Sequence, residues 1–406
     1  MSLEEAAVKI ASYLRSKDYV EVYSHHDADG IAAAAILTVA LRRADIAFRL
    51  RFLPHLKKED VERPEMSVLC DLGASIPDFP ESIVIIDHHV PYAKVPFHIN
   101  PRLEGIDGES ELSAAGCAYL VANALGDNRD LAGLVMVGII GDSQKLSGMN
   151  QKIIGDAVGN NLIEVGKGIL LPGRTTKEQI EFSVLPYLGN LSGDGETVEK
   201  IASLCMNTAS DEAYTSMLLS EIIVRSDASY HDLMSMYGES WKLLREAVQD
   251  AYAMTAVIDA CGKAGRPDLG YAVAAGDMAQ TDMAWETANA FRSKIIASAA
   301  SAKPVAENAW MTDDASTASD VADIFVRSTK KPVVVLARAE TYLKVSARAP
   351  AGCNVDFEQL MKTSAEKFGG AGGGHKTRAG GHKTRAGGEL PLACESEFIA
   401  SLKKYL

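Results

Sequence analysis

Residues Tyr19–Arg43 read YVEVYSHHDADGIAAAAILTVALRR, and this stretch decides the fold. Tyr19–Ser24 (YVEVYS) has the aromatic and β-branched content of a short buried strand. Residues 30–43 form an alanine-rich helix ending in Arg42 and Arg43, whose charges suit the negative end of the helix dipole. Between them, Asp27-Ala28-Asp29-Gly30 turns the chain, with Gly30 allowing a tight entry into the helix. Working outward, residues 3–17 look helical, short strands are expected at 47–53, 66–71 and 82–87, and helices at 112–125 and 130–141. This alternation predicts a parallel α/β sheet, whose strand ends are where ligands gather.

The length of 406 residues favours two domains. A chain that is 47% hydrophobic and 23% charged can bury an ordinary globular core. No apolar run approaches the ~20 residues needed to cross a bilayer, so no membrane association is expected. The start, MSLEEAAVKIASYLRSKDYV, reads as a charged amphipathic helix rather than a signal peptide. Cys70, Cys117, Cys205, Cys261, Cys353 and Cys394 are scattered without a CxxC pair, which argues for a reducing cytoplasm and against zinc or disulfides. A net charge of −13 weakens the case for a broad duplex-binding surface. It leaves room for a short strand held by a local basic patch or by metal ions.

From about 195 to 255 the composition is mostly helical and reads as a connector. A second α/β unit is expected to begin near Leu269, with strands at 332–337 (PVVVLA) and 342–348 (YLKVSAR) and a helix at 355–367. A glycine-dense loop, Gly369–Gly388, follows. It contains a tandem repeat, since Gly373–Ala379 and Gly380–Ala386 both read GGHKTRA.

Four motifs in the first part of the chain carry chemistry: Ser24-His25-His26-Asp27-Ala28-Asp29-Gly30, Cys70-Asp71-Leu72-Gly73, Ile85-Ile86-Asp87-His88-His89 and Gly138-Ile139-Ile140-Gly141-Asp142-Ser143. Taken singly, each has an ordinary structural explanation. A DxDG is often a helix N-cap, an Asp after a strand is often a turn, and a buried His is often merely satisfied. Together in one α/β segment they point to a metal site. Carboxylate oxygen with imidazole nitrogen suits a divalent transition ion such as manganese. Two ions roughly 3.5–4 Å apart would activate a water and steady both oxygens of an in-line displacement at phosphorus.

The order HxDxDG, strand-end Asp, DHH and later Asp is similar to the DHH phosphoesterases, named for the triplet seen here as Asp87-His88-His89. The C-terminal unit resembles the DHHA1 domain that accompanies them, and the first motif most resembles that of archaeal RecJ-like single-strand exonucleases. The resemblance implies an N-terminal DHH catalytic domain (1–195), a helical connector (196–262) and a smaller α/β DHHA1 substrate-binding domain (263–406), with the active site in the cleft between the two domains. It implies one ion held by His25, Asp27 and Asp71 and another by Asp29, Asp71, His88 and Asp142, with Asp71 bridging. Mn2+ is the preferred ion, with Mg2+ or Co2+ as alternatives. His89 is expected to contact the scissile phosphate or protonate the leaving oxygen, and Asp87 to orient a histidine. His26 has no matching role. Asn100-Pro101 and Ser113-Ala114-Ala115-Gly116 also resemble family features and are read as a turn and a packing site.

The stretch GGAGGGHKTRAGGHKTRAGG offers backbone amides and positive charge to an anion. A flexible linker is the ordinary alternative. It resembles the family's GGGHxxAAG motif, and Ser346-Ala347-Arg348 resembles its Ser-x-Arg companion, with Arg348 as a phosphate clamp. The repeat offers Gly373, Gly374 and His375 in one register and His382 in the other. Arg378 or Arg385 stands where the family usually has alanine.

Three functions follow from these readings. The first is a single-strand-specific exonuclease on DNA or RNA. The second is a phosphodiesterase for nanoRNA, 3′-phosphoadenosine 5′-phosphate or cyclic dinucleotides. The third is a non-catalytic scaffold in a replication complex, against which the intact motif set argues. The resemblance also makes a replisome component (GINS) or a repair helicase a reasonable partner.

Overall fold

In a computed structural model, the strand at the head of the deciding stretch is β1 (Tyr19–His25), flanked by α1 (Leu3–Arg15) and α2 (Ala28–Arg43). The structure describes residues 2–93, 95–206, 208–350, 352–353, 355–375 and 385–402. Val20, Val22, Tyr23 and Ser24 of β1 are all buried, as suits a strand covered on both faces. Glu21 is buried among them and accepts hydrogen bonds from the Tyr23 hydroxyl and from Arg63.

Four parallel neighbours complete the sheet in the order β2-β1-β3-β4-β5, namely β2 (Ala47–Leu53), β3 (Ser67–Cys70), β4 (Val84–Ile86) and β5 (Phe97–Ile99). Register aligns their carboxyl ends. Ser24 lies opposite Cys70, Cys70 opposite Ile86, and Ile86 opposite Ile99. Each motif Asp that follows one of these strands therefore emerges at the same edge. β5 was not expected, because three residues with His98 at the centre carry little strand signal.

α2 is buried on nearly every side, and its alanines let α3 (Ala114–Leu125) and α4 (Ala132–Gly141) pack closely against it. Leu3, Ala6, Ala7, Ile10 and Leu14 form the buried stripe of α1, whose start is closed by a capping box between Ser2 and Glu5. Gly148–Gly159 forms a fifth helix, α5, and Ile163–Ile169 pairs with Tyr237–Leu243 in a two-stranded ribbon.

The chain forms two units, each assembled from two stretches. One holds residues 1–172 and 238–289, the other 173–237 and 290–406. Two expectations are corrected here. The largely helical reading of 195–255 misses the strand Tyr237–Leu243, whose alternating exposed positions mark a ribbon. The residues near Leu269 do not open a second α/β unit. Pro267–Ala274 is a helix with proline in its first turn, packed on Ala251–Lys263 and α2.

The second unit contains a six-stranded mixed sheet. Val333–Arg338 and Tyr342–Arg348 run antiparallel at its centre, and Val333–Ala337 is fully buried. Phe357, Leu360, Met361 and Phe398 pack a core against it from two helices, Phe357–Phe368 and Glu395–Ser401. The expected glycine loop is in part strand. Ala371–His375 pairs antiparallel with Arg385–Pro391, and the latter pairs with Tyr342–Arg348.

Candidate metal centre

The aligned strand ends and the end of α4 bring eight side chains from four motifs to one place. Three overlapping groups have ligand atoms within 4.8 Å of one another: His25, Asp27 and Asp71; Asp29, His88 and Asp142; and Asp71, Asp87, His88 and His89. Asp71 follows β3 with φ 56°, in the left-handed region that aspartate enters more readily than most residues and that turns its carboxylate off the strand end. Its Oδ2 lies 3.4 Å from His25 Nδ1 and its Oδ1 lies 3.4 Å from His88 Nε2.

Asp27 caps α2 by accepting from the Gly30 amide at 3.0 Å, and its other oxygen is 2.8 Å from His25 Nδ1. Asp29, fully buried, accepts from the Ala114 and Ala115 amides at 2.8 and 2.9 Å. The Ser113-Ala114-Ala115-Gly116 segment thus anchors a site carboxylate with the first amides of α3, in addition to starting that helix. A Cβ at Gly138 would stand 2.2 Å from Asp29 Oδ1, so the close pass of α4 requires glycine there. Asp142 ends α4 and places Oδ2 3.1 Å from His88 Nε2.

Asp87 is occupied by its own turn. Oδ1 accepts from the His88 and His89 amides and lies 2.8 Å from His89 Nδ1, and Oδ2 accepts from the Ala74 amide. It therefore orients His89. Asn100 donates to the His89 carbonyl at 2.9 Å, and Arg102 donates to the His88 carbonyl at 2.9 Å. His26 turns away, with Nδ1 3.2 Å from the Gly262 carbonyl.

Electrostatics follow from this crowding. Burial opposes charge on His25 and His88, yet their carboxylate neighbours outweigh it and hold both rings well above the ordinary imidazole range. For His25 these neighbours are Asp27 and Asp71; for His88 they are Asp142, Asp71 and Asp29. Burial pushes Asp29 well up, with Asp142 and Asp71 adding to it, and pushes Asp142 to about 6. Burial works against the ionised forms of Asp27 and Asp87 too, but His25 and His89 hold them below the usual carboxylate range.

Divalent ions fit this donor set. Asp71 Oδ1 and His88 Nε2 are buried and have no hydrogen-bond partner, and their separation exceeds a normal hydrogen bond. Buried polar atoms that face each other among further carboxylates without a hydrogen bond suit a cation between them. Four carboxylates and two imidazoles suit a divalent transition ion.

In the second unit, Ser346 is buried and pairs in register with Gly387. Arg348 is paired with Asp323, Nε to Oδ1 at 2.8 Å and a second donor to Oδ2 at 3.3 Å. Gly373, Gly374 and His375 lie opposite Gly387, Ala386 and Arg385. The remaining repeat residues expected at the substrate site, Arg378 and His382, lie outside the described residues.

A five-stranded parallel sheet with carboxylates and histidines at its carboxyl edge is the fold of the DHH phosphoesterases. The DHH family N-terminal domain matches residues 19–139, and the DHHA1 domain matches residues 305–406. The chain belongs to the DHH/DHHA1 family. It is 27% identical over 393 residues to an uncharacterised protein of Methanocaldococcus jannaschii, covering 88% of each chain. It is 26% identical over 242 residues to the single-stranded-DNA-specific exonuclease RecJ of Thermus thermophilus, covering 52% of this chain and 36% of that protein. Among solved structures, exonuclease RecJ bound to manganese superposes with TM-score 0.58 at 18% identity, covering 100% of this chain and 94% of the other. CDC45 from Entamoeba histolytica superposes with TM-score 0.63 at 12% identity, covering 99% and 98%. These likenesses establish a shared fold.

Proposed function

We propose that the chain is a divalent-metal-dependent phosphodiesterase that shortens single-stranded DNA or RNA from an end. The observation that carries this reading is the placement of Asp71, whose two oxygens face His25 and His88 separately. His25, Asp27 and Asp71 would hold one ion, and Asp29, Asp71, His88 and Asp142 the other, with manganese preferred. Ions held there supply an activated water and neutralise charge at the reacting phosphate. His89, oriented through Nδ1 by Asp87, would protonate the leaving oxygen through Nε2. The amides of α3 would hold Asp29 towards its ion. Sequence similarity to a single-strand-specific exonuclease supports the choice of substrate.

A net charge of −13 favours a second reading, a phosphodiesterase for very short oligonucleotides or nucleotide-sized diesters. End-labelled DNA and RNA single strands, from dinucleotides upward, separate the two in a manganese time course. Progressive shortening of long strands supports the exonuclease. Cleavage confined to the shortest strands replaces it with the small-substrate enzyme.

A further inference from the structure

His88 is held from the side opposite the carboxylates by residues that carry no motif. Its Nδ1 lies 2.6 Å from the Gly108 carbonyl, a distance that places a proton on Nδ1 and directs Nε2 at Asp71 and Asp142, so that Nε2 is the nitrogen left to ligate an ion. The same carbonyl accepts from Gln144 Nε2 at 2.9 Å, and this amide nitrogen stands 3.3 Å from His88 Nδ1. Gln144 Oε1 in turn accepts from Asn150 Nδ2 at 2.8 Å. Asn150 is fully buried, and its backbone N–H donates to the Glu111 carbonyl at 2.9 Å. Ser147 donates to the Ser110 carbonyl at 3.0 Å, so the loop carrying Gly108 is pinned along its length.

Backbone geometry makes the arrangement specific. Ser143 takes φ 53°, so the chain reverses between Asp142 and Gln144 and the two side chains flank one ring. Asp142 faces Nε2, and Gln144 reaches the acceptor of Nδ1. A Cβ at Gly108 would lie 2.1 Å from the His88 carbonyl oxygen, so only glycine brings this carbonyl so close.

We propose that Gln144, braced by Asn150, is a positioning residue that fixes the tautomer and ring angle of His88 for metal binding. It acts through the Gly108 carbonyl and touches neither substrate nor metal. The inference rests on the metal-centre reading given above. Outer partners of ligating histidines typically change metal affinity or activity by 10–100-fold.

The test is Gln144→Met, which keeps volume and removes the amide, with Gln144→Ala as a second variant should the first fail to fold. Manganese affinity is measured by calorimetry on the full chain. The His88 ring tautomer is read by ¹⁵N–¹H correlation in the metal-free protein at a pH high enough for the ring to be neutral, assigned by its loss in His88→Gln. The expected result is affinity lowered roughly 10–100-fold, with the His88 ring changing from a single Nδ1–H tautomer to a mixture, at unchanged circular dichroism. Unchanged affinity and an unchanged tautomer overturn the proposal. If the wild type binds no manganese, the metal-centre reading fails, while the tautomer comparison still decides the role of Gln144.

Discussion

Asp71 Oδ1 faces His88 Nε2 at 3.4 Å inside the protein, and neither atom has a hydrogen bond. Asp142 Oδ2 lies 3.1 Å from the same Nε2, so charge crowds one buried point, and Asp71 holds it there with left-handed backbone. Such a pair, with carboxylates around it, suits a divalent cation. Because the other oxygen of Asp71 faces His25, one carboxylate serves both halves of the site.

Asp71→Asn keeps the shape of the side chain and removes its charge. Hydrolysis is expected to fall to the uncatalysed background, and manganese binding to weaken for both ions at once. Near-wild-type turnover would show that the cluster is not the catalytic centre.

His89→Gln separates chemistry from metal binding. A proton donor in the transition state contributes roughly 10²–10⁴-fold, so kcat should drop within that range while manganese stoichiometry stays unchanged. Loss of metal from this variant would place His89 among the ligands instead.

Gly138→Ala puts a methyl group only 2.2 Å from Asp29 Oδ1. Crowding of this kind costs about 1–3 kcal/mol, and the displaced carboxylate should weaken manganese binding. Gly155→Ala is the control, because a Cβ there meets nothing within 4 Å and the helix gains propensity. Equal melting temperatures for the two variants would contradict the packing argument.

Metal-stripped protein should lose stability as pH rises. His25 and His88 are raised above the ordinary imidazole value, and Asp142 is raised to about 6. Each binds its proton more tightly when folded, so each stabilises the fold at low pH and ceases to do so as pH passes its folded value. Asp27 and Asp87 are depressed, so their contribution is complete above the unfolded carboxylate value and is lost only in stronger acid. Between about pH 5 and 8 the melting temperature in chelator should therefore fall by several degrees, and added manganese should restore more at the upper end. A flat or rising melting temperature in chelator would refute this.

Much of the fold around the five-stranded sheet was legible because its strands and helices carry strong patterns. YVEVYS and residues 47–53 coincide closely with β1 and β2, and the alanine run became α2. β5 was too short to show, and the ribbon at Ile163–Ile169 carries glycines and exposed residues in place of a core face. Units assembled from separated stretches cannot be expressed by cuts along the chain. Within the site, aspartates and histidines announce themselves by residue type. Gly108 contributes a backbone carbonyl, which any residue possesses, and Gln144 acts through that carbonyl. Neither position carries a compositional signal.

Manganese bound per chain, followed by electron paramagnetic resonance alongside hydrolysis of a labelled single strand, tests the central claim most directly. Two ions sharing Asp71 should give a spin-coupled spectrum that appears in step with activity and vanishes in Asp71→Asn. Hydrolysis that proceeds unchanged in chelator, or manganese that binds only as isolated uncoupled ions, would contradict a two-metal phosphoesterase site.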